Sequence, residues 1–214
     1  MDKMLIELIE RYPSLAHISE EIKKAADMLC YAAERGGKIL VCGNGGSSAD
    51  ADHIVGELMK GFLLKREMPP SDKEKFKAAL GDDATPFVEK LQQGIPAISL
   101  SAQTAISSAF INDVDPDLIY AQMVYGYGKP GDVLLAISTS GNSKNVVNAL
   151  LCAKSMGLCT IALTGKSDSK ISANADCTIK APEEETFKVQ ELHLPIYHYL
   201  CAAAENYLFG KQNK

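Results

Sequence analysis

Two loops of this sequence carry residues that can bind a phosphate group. GNGGSS at 43–48 and STSGNS at 138–143 combine glycines with hydroxyl side chains, and each lies between an apolar run and a helix-like segment. Glycine lets the backbone approach a ligand closely, hydroxyl groups add rotatable donors, and a helix N-terminus attracts anions. Neither loop has the GxxxxGK[ST] lysine, and the first lacks GxGxxG spacing. Either loop alone is equally well explained as a capping turn, but the pair predicts phosphate binding.

A candidate acid–base pair follows the first loop. His53 and Glu57 are four residues apart, so their side chains face the same way on a helix. A lone histidine at this place is more often a structural helix residue. The carboxylate one turn further on, beside a glycine-rich loop, favours a functional pair instead.

The pattern of apolar runs predicts the elements that position these loops. Five short runs, most of them separated by helical stretches, predict the strands of a parallel sheet covered by helices on both faces. They are residues 38–42, 96–101, 132–138, 159–164 and 177–182. Ligands of such sheets bind outside the carboxyl ends of the strands, and both loops are predicted to lie there. The sequence therefore predicts an α/β fold whose sheet edge carries the binding site.

Other segments are predicted to surround the sheet. Residues 1–36 form N-terminal helices, one over 2–11 and one from Ser19, which suit oligomer contacts. Residues 65–94 are polar and predict a surface insertion with two short helices. A decorated loop is favoured for it over a lid or an oligomer contact. The last helix spans about 185–209, and Pro195 predicts a kink there, unless the helix begins at that proline.

Composition and charge exclude several classes of protein. The chain has 214 residues with a net charge of −5, which argues against a nucleic-acid partner bound by bulk charge. No apolar run approaches the ~20 residues of a membrane helix, and acidic residues interrupt the N-terminal apolar segment, so neither a membrane span nor a signal peptide is expected. The cysteines are far apart and form no CxxC pair, which predicts buried, reduced thiols in a cytoplasmic protein. They are Cys30, Cys42, Cys152, Cys159, Cys177 and Cys201.

Four segments of the chain resemble one family. GNGGSSADADH (43–53), ISTSGNSKNV (137–146), ALTGK (162–166) and VQELHLPIYH (189–198) are similar to the sugar isomerase (SIS) domain family, and within it to the phosphoheptose isomerase branch. The resemblance covers nearly the whole chain except about 65–94. It implies a single SIS domain over 1–214, a flavodoxin-like three-layer α/β sandwich with a five-stranded parallel sheet, and a homotetramer with active sites at subunit contacts.

The resemblance also implies roles for individual residues. The phosphosugar would be held by residues of the two loops and by one residue of the last helix: Asn44, Gly45, Gly46, Ser47, Asp50, Ser138, Thr139, Ser140, Ser143 and Gln190. The catalytic cluster, which binds zinc (Zn²⁺) in some members, would be His53, Glu57, Gln190 and His198.

The chemistry of this branch suits these residue types. Its members interconvert sedoheptulose 7-phosphate and D-glycero-D-manno-heptose 7-phosphate through an enediol, which needs a base near carbon and an acid near the oxygens. Glu57 suits the base and His198 the acid, and zinc would polarise the carbonyl. Gln190 and His198 are eight residues apart, about 12 Å along a regular helix. Both residues can reach one metal ion only if the helix is kinked, if the helix starts late, or if the two residues come from different subunits.

Three positions depart from the family pattern. Gln103 and Phe187 stand where the family has aspartates, and Gly61 stands where it has an arginine, with Lys60 and Lys65 nearby. These changes leave the phosphate loops and the catalytic cluster intact, but they leave the identity of the sugar open. An isomerase of a different phosphosugar is therefore an alternative.

Two alternatives come from other functional classes. One is a non-catalytic SIS protein, such as the replication-initiation factor that binds the initiator protein DnaA. That branch lacks counterparts of Glu57 and His198, which are present here. The other is a sugar-phosphate-sensing regulator, which usually carries an added helix-turn-helix domain for which this chain has no room.

Overall fold

A computed structural model describes residues 2–210 and contains one parallel sheet. Its strands are β1 (Ile39–Cys42), β2 (Ala97–Ser99), β3 (Val133–Ile137), β4 (Cys159–Thr164) and β5 (Cys177–Lys180). Their order is β2-β1-β3-β4-β5, and every pairing is parallel. The predicted five-stranded, flavodoxin-like sheet is confirmed. Residue 1 and residues 211–214 of the predicted domain lie outside the described residues.

Helices cover the sheet and precede it. They are α1 (Lys3–Arg11), α2 (Ser19–Glu34), α3 (Gly46–Met59), α4 (Pro70–Leu80), α5 (Thr85–Lys90), α6 (Thr104–Asp113), α7 (Ile119–Tyr127), α8 (Lys144–Ser155) and α9 (Thr186–Phe209). Short 3₁₀ turns occupy Pro13–Ile18, Gly81–Ala84 and Pro116–Leu118.

Local signals explain where the N-terminal helices begin and end. The Asp2 side chain accepts a hydrogen bond from the Met4 N–H at 3.1 Å and so caps α1. Acidic residues in the first turn of α2 stabilise the helix, because their negative charge interacts favourably with the positive N-terminal end of the helix dipole. Gly36 follows α2 with a φ of 76°, a left-handed conformation that glycine adopts without strain. These signals place β1 directly after the helical pair.

Two hydrophobic cores lie on opposite faces of the sheet. Leu40 and Leu134 point into the core shared with α7 and α8, whereas Val41 and Leu135 point into the core shared with α1, α2, α3 and α9. β1 and β3 are buried along their whole length, as expected for strands covered on both faces. The predicted three-layer sandwich is therefore confirmed.

The predicted insertion and the last helix complete the architecture. Residues 65–94 include α4 and α5, whose side chains are not buried and which are joined by stacked Phe76 and Phe87 rings 5.7 Å apart. α9 begins at Thr186 and runs through Pro195, so the alternative start at the proline is wrong. Within residues 2–210, no helix is both long and apolar enough to cross a membrane.

Candidate functional site

The sheet order brings the two hydroxyl-rich loops together. β1 and β3 are neighbours, and Cys42 pairs with Ala136 at their carboxyl ends. Residues 43–46 follow β1 directly, and residues 138–143 follow β3. In a sheet of this order the sequence of strands changes direction between β1 and β3, because β2 lies on one side of β1 and the later strands lie on the other. Ligands of such sheets bind in the crevice formed at that point. The topology thus supports one shared binding site.

Side-chain hydrogen bonds connect the first loop to the neighbouring helices. The amides of Asn44 and Asn145 exchange hydrogen bonds of 2.9 and 3.0 Å, which join the first loop to α8. The Tyr120 hydroxyl donates to the Gly43 carbonyl at 2.7 Å, and its oxygen also lies 3.2 Å from Asn44 Oδ1. Asn145 is a residue that the sequence analysis missed, because nothing in the local pattern distinguishes it from a polar residue of a first helical turn.

The second loop is held by its own backbone and hydroxyl groups. Ser138 is buried, and its Oγ accepts from the Gly141 N–H at 3.1 Å and lies 3.3 Å from Ser143 Oγ. Gly141 has a φ of 63°, so this turn favours glycine. Ser143 precedes α8 without a side-chain capping bond to any described residue. Ser140 is exposed. The loop therefore presents hydroxyl groups and the first N–H groups of α8 to an anion.

The first loop leads into α3, whose start faces α9. Gly45 has a φ of 56° just before the helix, and Ser47 in the first turn is buried. A Cβ built on Gly46 would lie 2.9 Å from Gln190 Cδ, which is closer than real Cβ contacts allow. Glycine at position 46 therefore leaves the space that the Gln190 amide occupies.

The candidate acid–base cluster lies further along α3. His53 Nε2 is 3.3 Å from Glu57 Oε1, and Lys60 donates to Glu57 Oε2 at 3.1 Å. The His198 ring lies edge-on to the His53 ring at 5.0 Å and packs on Phe62 at 5.6 Å. His53, Glu57 and His198 are thus brought together across α3 and α9, although 141 residues separate Glu57 from His198.

Burial leaves two polar atoms of the site without partners. His198 Nε2 and Asp50 Oδ2 are buried and accept or donate no hydrogen bond within residues 2–210. Burial and the nearby His53 lower the pKa of His198, and burial raises the pKa of Asp50. Unpartnered polar atoms at a binding site are ready to meet substrate groups. His198 also lines a groove of about 400 Å³ between α1 and α9, with Arg11 and Leu194.

The predicted metal ligands are only partly grouped. Two imidazoles and a carboxylate suit zinc in type, the Gln190 amide is not among the usual zinc ligands, and the unpartnered His198 Nε2 is a suitable donor atom. Gln190, however, contacts Gly46 at the start of α3, whereas His198 contacts His53 two turns further on. Within the described part of the chain, no three or more His, Cys, Asp or Glu side chains form a metal-binding group. Zinc binding stays a prediction.

A further histidine and the cysteines lie outside the cluster. His193 is fully buried with Nε2 3.2 Å from the Thr164 carbonyl, and burial lowers its pKa to about 4. All six cysteines are unpaired thiols. Cys159, at the start of β4, is exposed and Cys152 is only half-buried, so the prediction of buried thiols is wrong at these two positions.

Comparison with known proteins identifies the family. The SIS domain model matches residues 7–73 and 82–165, and the chain belongs to the SIS domain family. Residues 74–81, between the two matched parts, lie inside the segment predicted as an insertion.

Within that family the chain is similar to phosphoheptose isomerases. The enzyme of Thermodesulfovibrio yellowstonii is 37% identical over 88% of this chain and 81% of its own length. That of Synechocystis is 33% identical over 95% of this chain and 94% of its own length. The phosphoheptose isomerase structure from Neisseria gonorrhoeae superposes with a TM-score of 0.73 at 30% identity, covering 94% of each chain. The resemblance drawn from the four sequence segments is confirmed.

Proposed function

We propose that the protein is an aldose–ketose isomerase that interconverts sedoheptulose 7-phosphate and D-glycero-D-manno-heptose 7-phosphate. One observation carries this proposal. The two hydroxyl-rich loops lie together at the carboxyl ends of β1 and β3, and Glu57 and His198 lie together further along α3. The first feature suits a phosphate and the second suits proton transfer. Relatives that span nearly the whole chain are phosphoheptose isomerases.

The phosphate would bind between the two loops. Ser47, Ser138, Thr139, Ser140 and Ser143 supply hydroxyl groups there, and the N-termini of α3 and α8 supply N–H groups. The sugar chain would extend from this end of α3 towards Asn44, Asp50 and Gln190. Buried Asp50 Oδ2 suits a sugar hydroxyl, which would give that atom its missing partner.

Proton transfer would take place at carbons 1 and 2 of the sugar. Glu57 removes a proton from carbon 1 of the ketose, the enediol forms, and the same carboxyl group returns a proton to carbon 2. His198 moves the proton between the oxygens on these carbons and assists ring opening, a task suited to a group whose pKa is lowered by burial. Zinc, if bound by His53, Glu57, Gln190 and His198, would polarise the carbonyl group.

A role for a second subunit is proposed from the family resemblance. We propose a homotetramer whose active sites lie at subunit contacts, and a cytoplasmic location in keeping with six unpaired thiols.

An assay of purified protein with sedoheptulose 7-phosphate, followed by NMR with and without added zinc, tests the proposal. We expect formation of the aldose, with loss of turnover in Glu57→Gln and retention of phosphate-ester binding. A panel of other phosphosugars distinguishes the alternative substrate, which is considered because Gln103 and Phe187 stand where the family has aspartates. Binding of phosphate esters without turnover of any sugar would contradict the proposed isomerase activity and favour the non-catalytic alternative. Binding of DnaA is the direct test of that alternative.

A further inference from the structure

A buried histidine of α9 that the proposed chemistry does not use lies at the end of β4. His193 is 0% exposed, and its Nε2 lies 3.2 Å from the carbonyl oxygen of Thr164, the last residue of that strand. A carbonyl oxygen only accepts, so Nε2 carries the hydrogen and donates it. The other ring nitrogen, Nδ1, is buried without a partner among the residues that the structure describes. An apolar side chain would avoid the cost of burying this atom, so packing alone does not explain a histidine here.

The peptide group that His193 contacts also holds the second hydroxyl-rich loop. A trans peptide is planar, and its C=O and N–H groups point in opposite directions. The Thr164 carbonyl accepts from His193 on α9 and from the Ala181 N–H, the latter at 2.8 Å. The N–H of the same peptide belongs to Gly165 and donates to the Thr139 carbonyl at 3.0 Å. An orientation imposed on the carbonyl is therefore transmitted to the loop.

Close packing at Gly165 leaves this peptide little freedom to shift. A Cβ at Gly165 would lie 2.9 Å from the Thr139 carbonyl oxygen and 3.1 Å from Val189 Cγ2 of α9. Glycine is therefore needed for the loop and α9 to approach each other so closely. Further along the same connection, the Ile171 N–H donates to the Gly141 carbonyl of the loop at 3.1 Å. The chain that leaves β4 thus braces the loop from one side.

We propose that His193 is a positioning residue that fixes the phosphate-binding loop through the Thr164–Gly165 peptide. It holds the carbonyl side of the peptide and so directs the Gly165 N–H at Thr139, whose hydroxyl is one of the groups proposed to hold the phosphate. This role rests on the proposed phosphate site. Burial lowers the pKa of His193 to about 4, so near pH 7 the ring is neutral and has a single hydrogen to donate.

Two substitutions of His193 separate positioning from packing. His193→Leu removes the donor and leaves an apolar side chain, whereas the amide that His193→Gln introduces supplies an N–H for the same carbonyl. Ala181 still donates to the Thr164 carbonyl in both variants, so no backbone acceptor is orphaned and both should fold. Tyr199→Phe is the matched control, because Tyr199 is buried on the same helix and its hydroxyl donates to Asp2 at 3.1 Å instead.

Calorimetric binding of inorganic phosphate and kinetics with sedoheptulose 7-phosphate measure the effect. We expect the Kd for phosphate and the KM of His193→Leu to rise about 3–10-fold, the range that one hydrogen bond typically contributes, with kcat changed less than about twofold. His193→Gln should regain most of the lost affinity, and Tyr199→Phe should match the wild type. Equal affinities of His193→Leu and wild type overturn the inference, and so does a His193→Gln variant that binds no better than His193→Leu.

A measurement on the wild type keeps the inference open to refutation even if His193→Leu does not fold. ¹⁵N NMR at pH 7.5 should show the hydrogen of His193 on Nε2, and a hydrogen on Nδ1 overturns the inference. A wild type that binds no phosphate would overturn the proposed phosphate site and, with it, the role of His193 in binding. Phosphate binding that is equal in wild type and His193→Leu overturns the inference alone, so the two failures are distinguished.

Discussion

A buried ion pair holds the segment that follows Glu57, and breaking it should destabilise the protein strongly. Arg66 and Glu205 are 0% and 1% exposed, and Arg66 Nε donates to Glu205 Oε1 at 2.7 Å. Arg66 also donates to the Leu58 carbonyl at 2.6 Å and to the Glu57 carbonyl at 3.2 Å, which satisfies the last turn of α3. Its guanidinium lies 5.1 Å above the centre of the Phe209 ring.

Glu205 completes this clamp from α9. Its carboxylate accepts hydrogen bonds from three successive backbone N–H groups that follow α3, those of Phe62, Leu63 and Leu64, at 2.8, 2.7 and 3.0 Å. One carboxylate thus neutralises Arg66 and accepts the hydrogen bonds of the backbone N–H groups that follow the end of α3. Phe62 in turn packs on His198, so the clamp connects the core to the candidate site.

The perturbation is Glu205→Gln, which keeps the shape but removes the charge. It leaves a fully buried guanidinium without a counter-ion, a change that typically costs about 3–5 kcal/mol. For a domain of this size that loss lowers Tm by about 6–20 °C. Arg66→Met combined with Glu205→Gln removes both charges and keeps an amide oxygen for the backbone donors, so the double variant should regain part of the lost stability.

Thermal unfolding at one fixed protein concentration measures the effect. Glu67→Gln is the matched control, because Glu67 forms an exposed ion pair with Lys65 at 2.7 Å and solvent screens such a pair. We expect the control to unfold at the wild-type temperature. If Glu205→Gln were as stable as Glu67→Gln, the assignment of a buried, uncompensated charge would be refuted.

Three further predictions concern the site and the core. Ser140→Ala should raise KM about tenfold with little change in kcat, because it removes one hydrogen bond to the phosphate; steady-state kinetics showing an unchanged KM would contradict the loop assignment. Gly46→Ala should displace Gln190 and lower activity. Gly56→Ala on the same helix is the control and should leave activity unchanged, because a Cβ at that position meets no described atom within 4 Å. Equal activities of the two variants would argue against the close contact at Gly46. The pKa of His193 in the folded protein, about 4, lies below the ordinary value of 6.5. Between these two pH values only the unfolded chain takes up a proton at this residue. The free energy of unfolding therefore falls as the pH drops through that window, by up to about 1.4 kcal/mol per pH unit. Urea unfolding of His193→Gln at pH 7.5 and pH 5 should show a smaller loss than the wild type, and an equal loss would contradict this burial effect.

The features predicted from the sequence are those with a local signal. Apolar runs with turn residues mark strands, so the sheet and the loops at 43–48 and 138–143 were predictable. His53 and Glu57 were predictable because helical spacing alone places them on one face.

The features that escaped prediction depend on long-range packing. Arg66 and Glu205 are 139 residues apart in the chain, and each reads as an ordinary charged surface residue. Tyr197 reads as an apolar helix residue beside His198, and its contact with Asp50 exists only because α9 packs on α3. Cys159 lies in an apolar run, but the strand end at which it stands is exposed.

The most direct test of the central claim is to follow sedoheptulose 7-phosphate in D₂O by ¹H NMR with wild type, Glu57→Gln and Glu74→Gln. Glu74 lies exposed on α4 and serves as the matched carboxylate control. We predict that wild type and Glu74→Gln form the heptose aldose and that Glu57→Gln does not, although all three bind phosphate esters alike. Formation of the aldose by Glu57→Gln at the wild-type rate would contradict the account.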